Sequence, residues 1–142
     1  MSEHKSKILN QLDKILEAEL SGVVRYLHYS FMIFGPNRIP ITGWFRNHAN
    51  EGIAHAVLIG EKITAFGGHP SLKVKPVPET NKHNVMDILE ESLEFEREGL
   101  KLYHELLGMV GNDVALEEMV RRLILDETTH IEEVEKMIRN AK

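Results

Sequence analysis

Apolar residues recur at steps of three and four in four long segments, and nowhere alternate with period two for long enough to build a sheet. The pattern predicts an all-α protein. The first helix is expected over about residues 5–34, with Ile8, Leu12, Ile15, Leu16, Val23, Tyr26 and Leu27 on one face, before Gly35-Pro36 stops it. The second is expected to begin near Pro40, a residue suited to a first helical turn, and to run through Trp44, Phe45, Ala56, Ile59, Ile63 and Phe66 to Gly67-Gly68. These two make an antiparallel pair. Residues 69–82 carry Pro70, Lys73, Lys75, Pro76 and Pro78 with no apolar period, which reads as an extended crossover long enough to traverse a bundle. The third helix, over about residues 84–110, turns Val85, Leu89, Ser92, Gly99, Leu100, Tyr103 and Leu107 inward and is expected to cap at Gly111. Asp113 is the expected N-cap of the fourth, whose stripe is Leu116, Met119, Leu123, Ile131, Val134 and Ile138. The result is a four-helix bundle of two antiparallel hairpins joined by one long crossover.

Each stripe, followed inward, meets a residue that does not belong in an apolar core. Ile15 and Val23 flank Glu19; Ser92, Gly99 and Tyr103 bracket Glu96; Leu123 is followed by Glu127 and His130 before the stripe resumes at Ile131. The second helix sets His48, Glu51 and His55 in line with Phe45 and Ile59. Taken singly, an inward Glu is more often a boundary residue whose carboxylate reaches water, and a single inward His more often a hydrogen-bonded core residue. Taken together they lie near the middle of all four helices, at a depth where they can meet. Burying an unpaired carboxylate costs several kcal/mol or more, on the order of what a marginal domain can spare, so the cluster needs compensating cations. Divalent iron or manganese, which take carboxylate oxygen and imidazole nitrogen, would supply them.

Composition narrows the choice. With 142 residues the chain has room for one sizeable core and not for two, so a single domain over residues 1–142 is expected. There are no cysteines, which excludes thiolate metal sites, disulfides and cysteine nucleophiles. No apolar run approaches a membrane span, and the charged start Met1-Ser2-Glu3-His4-Lys5 lacks the form of a secretory signal, so a cytoplasmic protein is expected. A formal charge of −5 argues against nucleic acid as a partner. No glycine-rich phosphate loop is present, and the runs Glu90-Glu91, Glu117-Glu118 and Glu132-Glu133 read as solvated helix faces.

The same residues resemble the bacterioferritin branch of the ferritin-like superfamily, whose bundles hold two metals with one Glu from each of two helices and Glu-x-x-His from each of the others. Glu19 in Leu16-Glu17-Ala18-Glu19-Leu20, followed by Tyr26, is similar to the first-helix motif. Glu96 in Leu93-Glu94-Phe95-Glu96-Arg97-Glu98-Gly99 is similar to the third-helix ligand, Asp126-Glu127-Thr128-Thr129-His130-Ile131 to the fourth-helix motif, and His55-Ala56 to the end of the second. The resemblance covers nearly the whole chain, and the fourth-helix element is its most specific part. It implies a ferritin-like bundle with a di-iron centre on Glu19, His55, Glu96, Glu127 and His130. Manganese or zinc would be substitute metals, and the implied reaction is a ferroxidase one, oxidation of Fe(II) by oxygen or peroxide. It further implies iron storage inside a homo-oligomeric shell.

Three departures matter. The position three before His55, where the family carries its bridging glutamate, is Gly52; Glu51 lies four before instead. At about 100° per residue both offsets share a helix face, so Glu51 is the candidate substitute if the helix rotates or takes up a π-bulge at Gly52. The haem-binding methionine of bacterioferritins is matched here by Ile53, so no haem of that kind is expected. Nothing after the fourth helix matches the short fifth helix of twenty-four-subunit shells, which leaves smaller assemblies open, a Dps-like twelve included; Dps-type sites form between subunits, whereas these ligands are spread over one chain. Two further readings stay beside the iron oxidase: a rubrerythrin-like peroxidase or manganese enzyme, and a non-enzymatic bundle whose metal site has degenerated.

Overall fold

A computed structural model describes residues 2–139. Its elements are α1 (Glu3–Met32), α2 (Arg38–Ala65), α3 (Val85–Leu107) and α4 (Val114–Ile138). Three of the four helices start on a side-chain cap: Ser2 accepts from the Lys5 N–H, Asn84 from those of Met86 and Asp87, and Asp113 from that of Leu116. Each removes one of the bare donors of a helix start. Helices α1 and α2 pack as one hairpin and α3 and α4 as the other, with α1 against α3 joining them. The crossover from Gly68 to Asn84 lies along α1. Ser71 donates its N–H to Asp13 at 3.0 Å and its hydroxyl to Glu17 at 2.7 Å. Farther along, Glu79 pairs with His28 at 2.7 Å and His83 Nδ1–H reaches the Met32 carbonyl at 2.9 Å.

The apolar interior is not continuous. One cluster, around Leu12, Ile15, Leu16, Ile59, Ile63, Tyr103, Leu106, Leu116, Val120 and Leu123, fills one end of the bundle. A second, around Tyr26, Tyr29, Ile33, Phe45, Ala49, Ile88, Leu89 and Val134, fills the other. Between them every helix contributes to an ionisable layer, and that layer is the candidate site. Two expected features need correction. Leu27 is not inward but 39% exposed, because its neighbour Tyr26, about 100° round the helix, takes the core position. Gly111 does not cap α3: the helix ends at Leu107 and Gly111, at φ +60°, shapes the turn into α4 instead.

Candidate metal centre

Helix period alone accounts for the inward layer. Glu19 sits between Leu16 and Tyr26 of α1, Glu96 between Ser92 and Tyr103 of α3, and Glu127 between Leu123 and Val134 of α4, all of whose flanking residues are buried. Glu96 and Glu127 are themselves only 5% and 6% exposed, and His55 is buried with them. Ligand atoms of Glu19, His55 and Glu127 lie within 4.8 Å of one another, and so do those of Glu96, Glu127 and His130. Glu127 belongs to both groups. The two triads line one narrow cavity of about 30 Å³, with Tyr26, His48 and Gly52 on its walls. That is room for small ions or water and not for an organic substrate.

The hydrogen bonds fix which atoms face the cavity. His55 donates Nε2–H to Asp126 at 3.2 Å, which leaves Nδ1 aimed between Glu19 and Glu127, 3.4 Å from each. An outer carboxylate on the far ring nitrogen is how metal-binding imidazoles are usually oriented. Tyr103 donates to Glu19 at 3.0 Å, and Tyr26 donates to Glu96. Glu51 is half-exposed and holds His130 Nε2 with its carboxylate. Helix α2 stays α-helical through Gly52, without the π-bulge that would swing Glu51 inward. Glu51 therefore lies beside His130 and His48, outside the Glu19–His55–Glu127 group. Its relation to His130 mirrors that of Asp126 to His55.

Electrostatics register the crowding. Burial, and next the Glu127 carboxylate, push Glu96 well above the usual carboxylate range. Burial also raises Glu19, against the lowering pull of His55. For His55 burial acts to lower the pKa, but the Glu127 and Glu19 carboxylates override it and carry the group to about 10. Glu127 resists burial and stays below its ordinary value through Glu96 and His55. Without cations, then, protons balance the acids, and His55 Nδ1 carries one of them where a metal would bind. Glu19, Glu96 and His55 hold protons more tightly folded than unfolded, so the stability they contribute is lost as pH rises through their folded values; Glu127 runs the other way below 4.5. His48, lowered by burial, acts the other way below 6.5, so metal-free protein should lose Tm as pH rises from about 6.5 toward about 10, the window of His55, while a saturating divalent metal flattens the slope. Thermal melts across that range, with and without metal, check it; a metal-free Tm that rises with pH would contradict the proton balance.

The sequence brought forward Glu19, His55, Glu96, Glu127 and His130, and the fold gathers all of them. Three others are harder to see in the sequence. Asp126 shows only as the residue before Glu127, and the stripe marks Tyr103 as core although its hydroxyl needs a buried acceptor. His48, two turns before His55, shares its face, but spacing alone assigns it no role.

A family model described as a ferritin-like domain matches residues 9–142. Among solved structures, a ferritin-like diiron-carboxylate protein from Bacillus anthracis superposes with TM-score 0.92 at 26% identity, covering 98% of this chain and 100% of that one. A bacterioferritin from Rhodobacter capsulatus gives 0.83 at 24% identity, covering 94% and 84%. A Dps protein from Vibrio cholerae O1 gives 0.89 at 12% identity, covering 96% and 91%, a likeness of fold alone. No curated protein matches the chain by sequence.

Proposed function

The chain belongs to the ferritin-like family, and from that premise we propose that it binds two Fe(II) ions as substrate in the mid-bundle cavity and oxidises them. Glu19, His55 and Glu127 would hold one ion; Glu96, Glu127 and His130 would hold the other. The observation that carries this reading is His55 Nδ1, which is buried and points between the Glu127 and Glu19 carboxylates, 3.4 Å from each, without a hydrogen bond to either. A cation fits that donor set; an apolar ligand or an organic substrate does not. Together two Fe(II) substrates can reduce one O2 to H2O2 with uptake of two protons, or one H2O2 to water.

The chain's own groups do the positioning. Tyr103 and Tyr26 orient Glu19 and Glu96, and Asp126 and Glu51 fix the imidazoles of His55 and His130. Apolar layers on both sides keep bulk water from the ions. Apolar residues also stand exposed on the first hairpin, Val24 and Phe31 of α1 and Val57 of α2, each more than half exposed, which supports association with further copies; an assembly of such copies would be where the ferric product is stored.

Anaerobic protein given Fe(II) in increments and then exposed to air should develop ferric absorbance much faster than protein-free buffer, with the fast phase saturating at two Fe(II) per chain. A rate equal to buffer, or a fast phase with no break at that ratio, would rule the reading out.

A further inference from the structure

Gly52 leaves the centre short of one donor. A Cβ built on it would meet Val23 Cγ2 at 3.1 Å and come within 3.8 Å of Glu19 Oε2, so a side chain at this position would start toward the Glu19 carboxylate. Glycine offers nothing there. Nor does Glu51 make up the deficit in this geometry, since it is committed to His130 Nε2 from the solvent side.

One turn earlier on α2, His48 faces the same cavity. It is 8% exposed, held between Trp44, at 3.8 Å between ring centroids, and His130 at 4.2 Å, with Tyr26 edge-on at 5.9 Å. Its Nδ1–H donates to the Trp44 carbonyl at 3.0 Å. That carbonyl can only accept, so the proton resides on Nδ1 and Nε2 presents a bare lone pair. Nε2 is buried and has no hydrogen-bond partner. A buried acceptor left unpaired is destabilising, and a cation on that lone pair would relieve it. His48 lines the cavity with Glu96, Glu127 and His130, and its ligand atom lies within 4.8 Å of those offered by His130 and Glu51.

We infer that His48 Nε2 is a ligand of the ion held by Glu96, Glu127 and His130, a neutral imidazole standing in for the carboxylate that Gly52 cannot provide. The inference rests on the metal-centre reading and sharpens it. Three carboxylates, Glu19, Glu96 and Glu127, would then face two divalent ions, and one position would carry two imidazoles. Donor chemistry makes that position favour Co(II), Ni(II) or Zn(II) over Mn(II), whereas a carboxylate-rich one would discriminate less.

Co(II), which air does not readily oxidise in such ligand sets, is the probe. Titrated into wild-type protein and followed by calorimetry and visible absorbance, it should fill two positions per chain. His48→Ala should keep the Glu19–His55–Glu127 position and bind the second Co(II) about tenfold or more weakly, with an altered spectrum for the second equivalent only. Two Co(II) bound by His48→Ala with wild-type affinity and spectrum would overturn the assignment, and so would loss of the second ion in Glu51→Ala but not in His48→Ala. Should the variant fail to fold, a Co(II)-soaked wild-type crystal decides by anomalous scattering. An ion within bonding distance of Nε2, about 2.0–2.2 Å, supports the inference; Nε2 out of contact with every ion overturns it. Wild-type protein that binds no Co(II) would bring down the metal-centre reading along with the ligand assignment, whereas the other adverse outcomes remove only His48.

Discussion

Glu127→Ala, loaded anaerobically with Fe(II) and exposed to air, is expected to form ferric product at least about a hundredfold more slowly than wild type. The size of the effect follows from geometry. Glu127 is the carboxylate common to the two groups, so its loss strips a ligand from both ions at once. Replacing even an outer partner of a metal ligand costs about 10–100-fold in affinity or activity, and a shared ligand should exceed that. The same carboxylate lies 3.4 Å from His55 Nδ1 and helps to keep that imidazole charged in the absence of metal. Its removal should therefore also lower the pKa of His55, which NMR titration of the ring would follow. Stopped-flow absorbance gives the rate. A Glu127→Ala rate within about threefold of wild type would mean that oxidation happens elsewhere.

Glu96→Gln should separate fold from function by moving them in opposite directions. Glu96 is 5% exposed, and burial with the facing Glu127 pushes its pKa well up. At neutral pH the metal-free protein must either keep a proton on Glu96 or bear a buried charge. The amide of Gln has nearly the same shape, can still accept from Tyr26, and can donate to Glu127 as the neutral acid would. It carries no charge to bury. Metal-free Glu96→Gln is thus expected to gain about 1–3 kcal/mol at about pH 8, a few degrees or more in Tm, and to show a flatter decline of stability with pH. Its second metal ion should bind much more weakly, because an amide oxygen is a poor substitute for an anionic ligand. Thermal melts paired with Co(II) titration test both halves. A Gln variant less stable than wild type when metal-free would show that Glu96 is held charged and paired rather than as a buried acid.

Such an opposition would explain why a sequence with otherwise regular stripes places acids inside: a site built for ions is strained without them, and natural domains tolerate strain where function requires it. Here the two apolar clusters on either side supply the stability that the ionisable layer does not.

Much of this was legible in the chain itself. The four helices follow from apolar spacing, the long crossover from a proline-rich segment without period, and the inward position of Glu19, Glu96, Glu127 and His130 from counting along each stripe. Period alone resolves a residue's direction to roughly one helical step, about 100°, which is why Leu27 and Tyr26 could not be separated. It also cannot say how far a side chain reaches. Glu51 shares a face with His55 in the sequence, and the contact of its carboxylate with His130 Nε2 appears only once α2 is seen to run through Gly52 unbroken.

The amino-acid order thus determined the helices, their pairing, and the presence of acids and imidazoles at one depth in the bundle. Tertiary structure alone decided which nitrogen of His55 and of His48 faces the cavity and which carboxylate belongs to both groups. Those are questions of ångströms between groups from different helices, and the intrahelical period that a sequence displays contains no information about the distance across the interior.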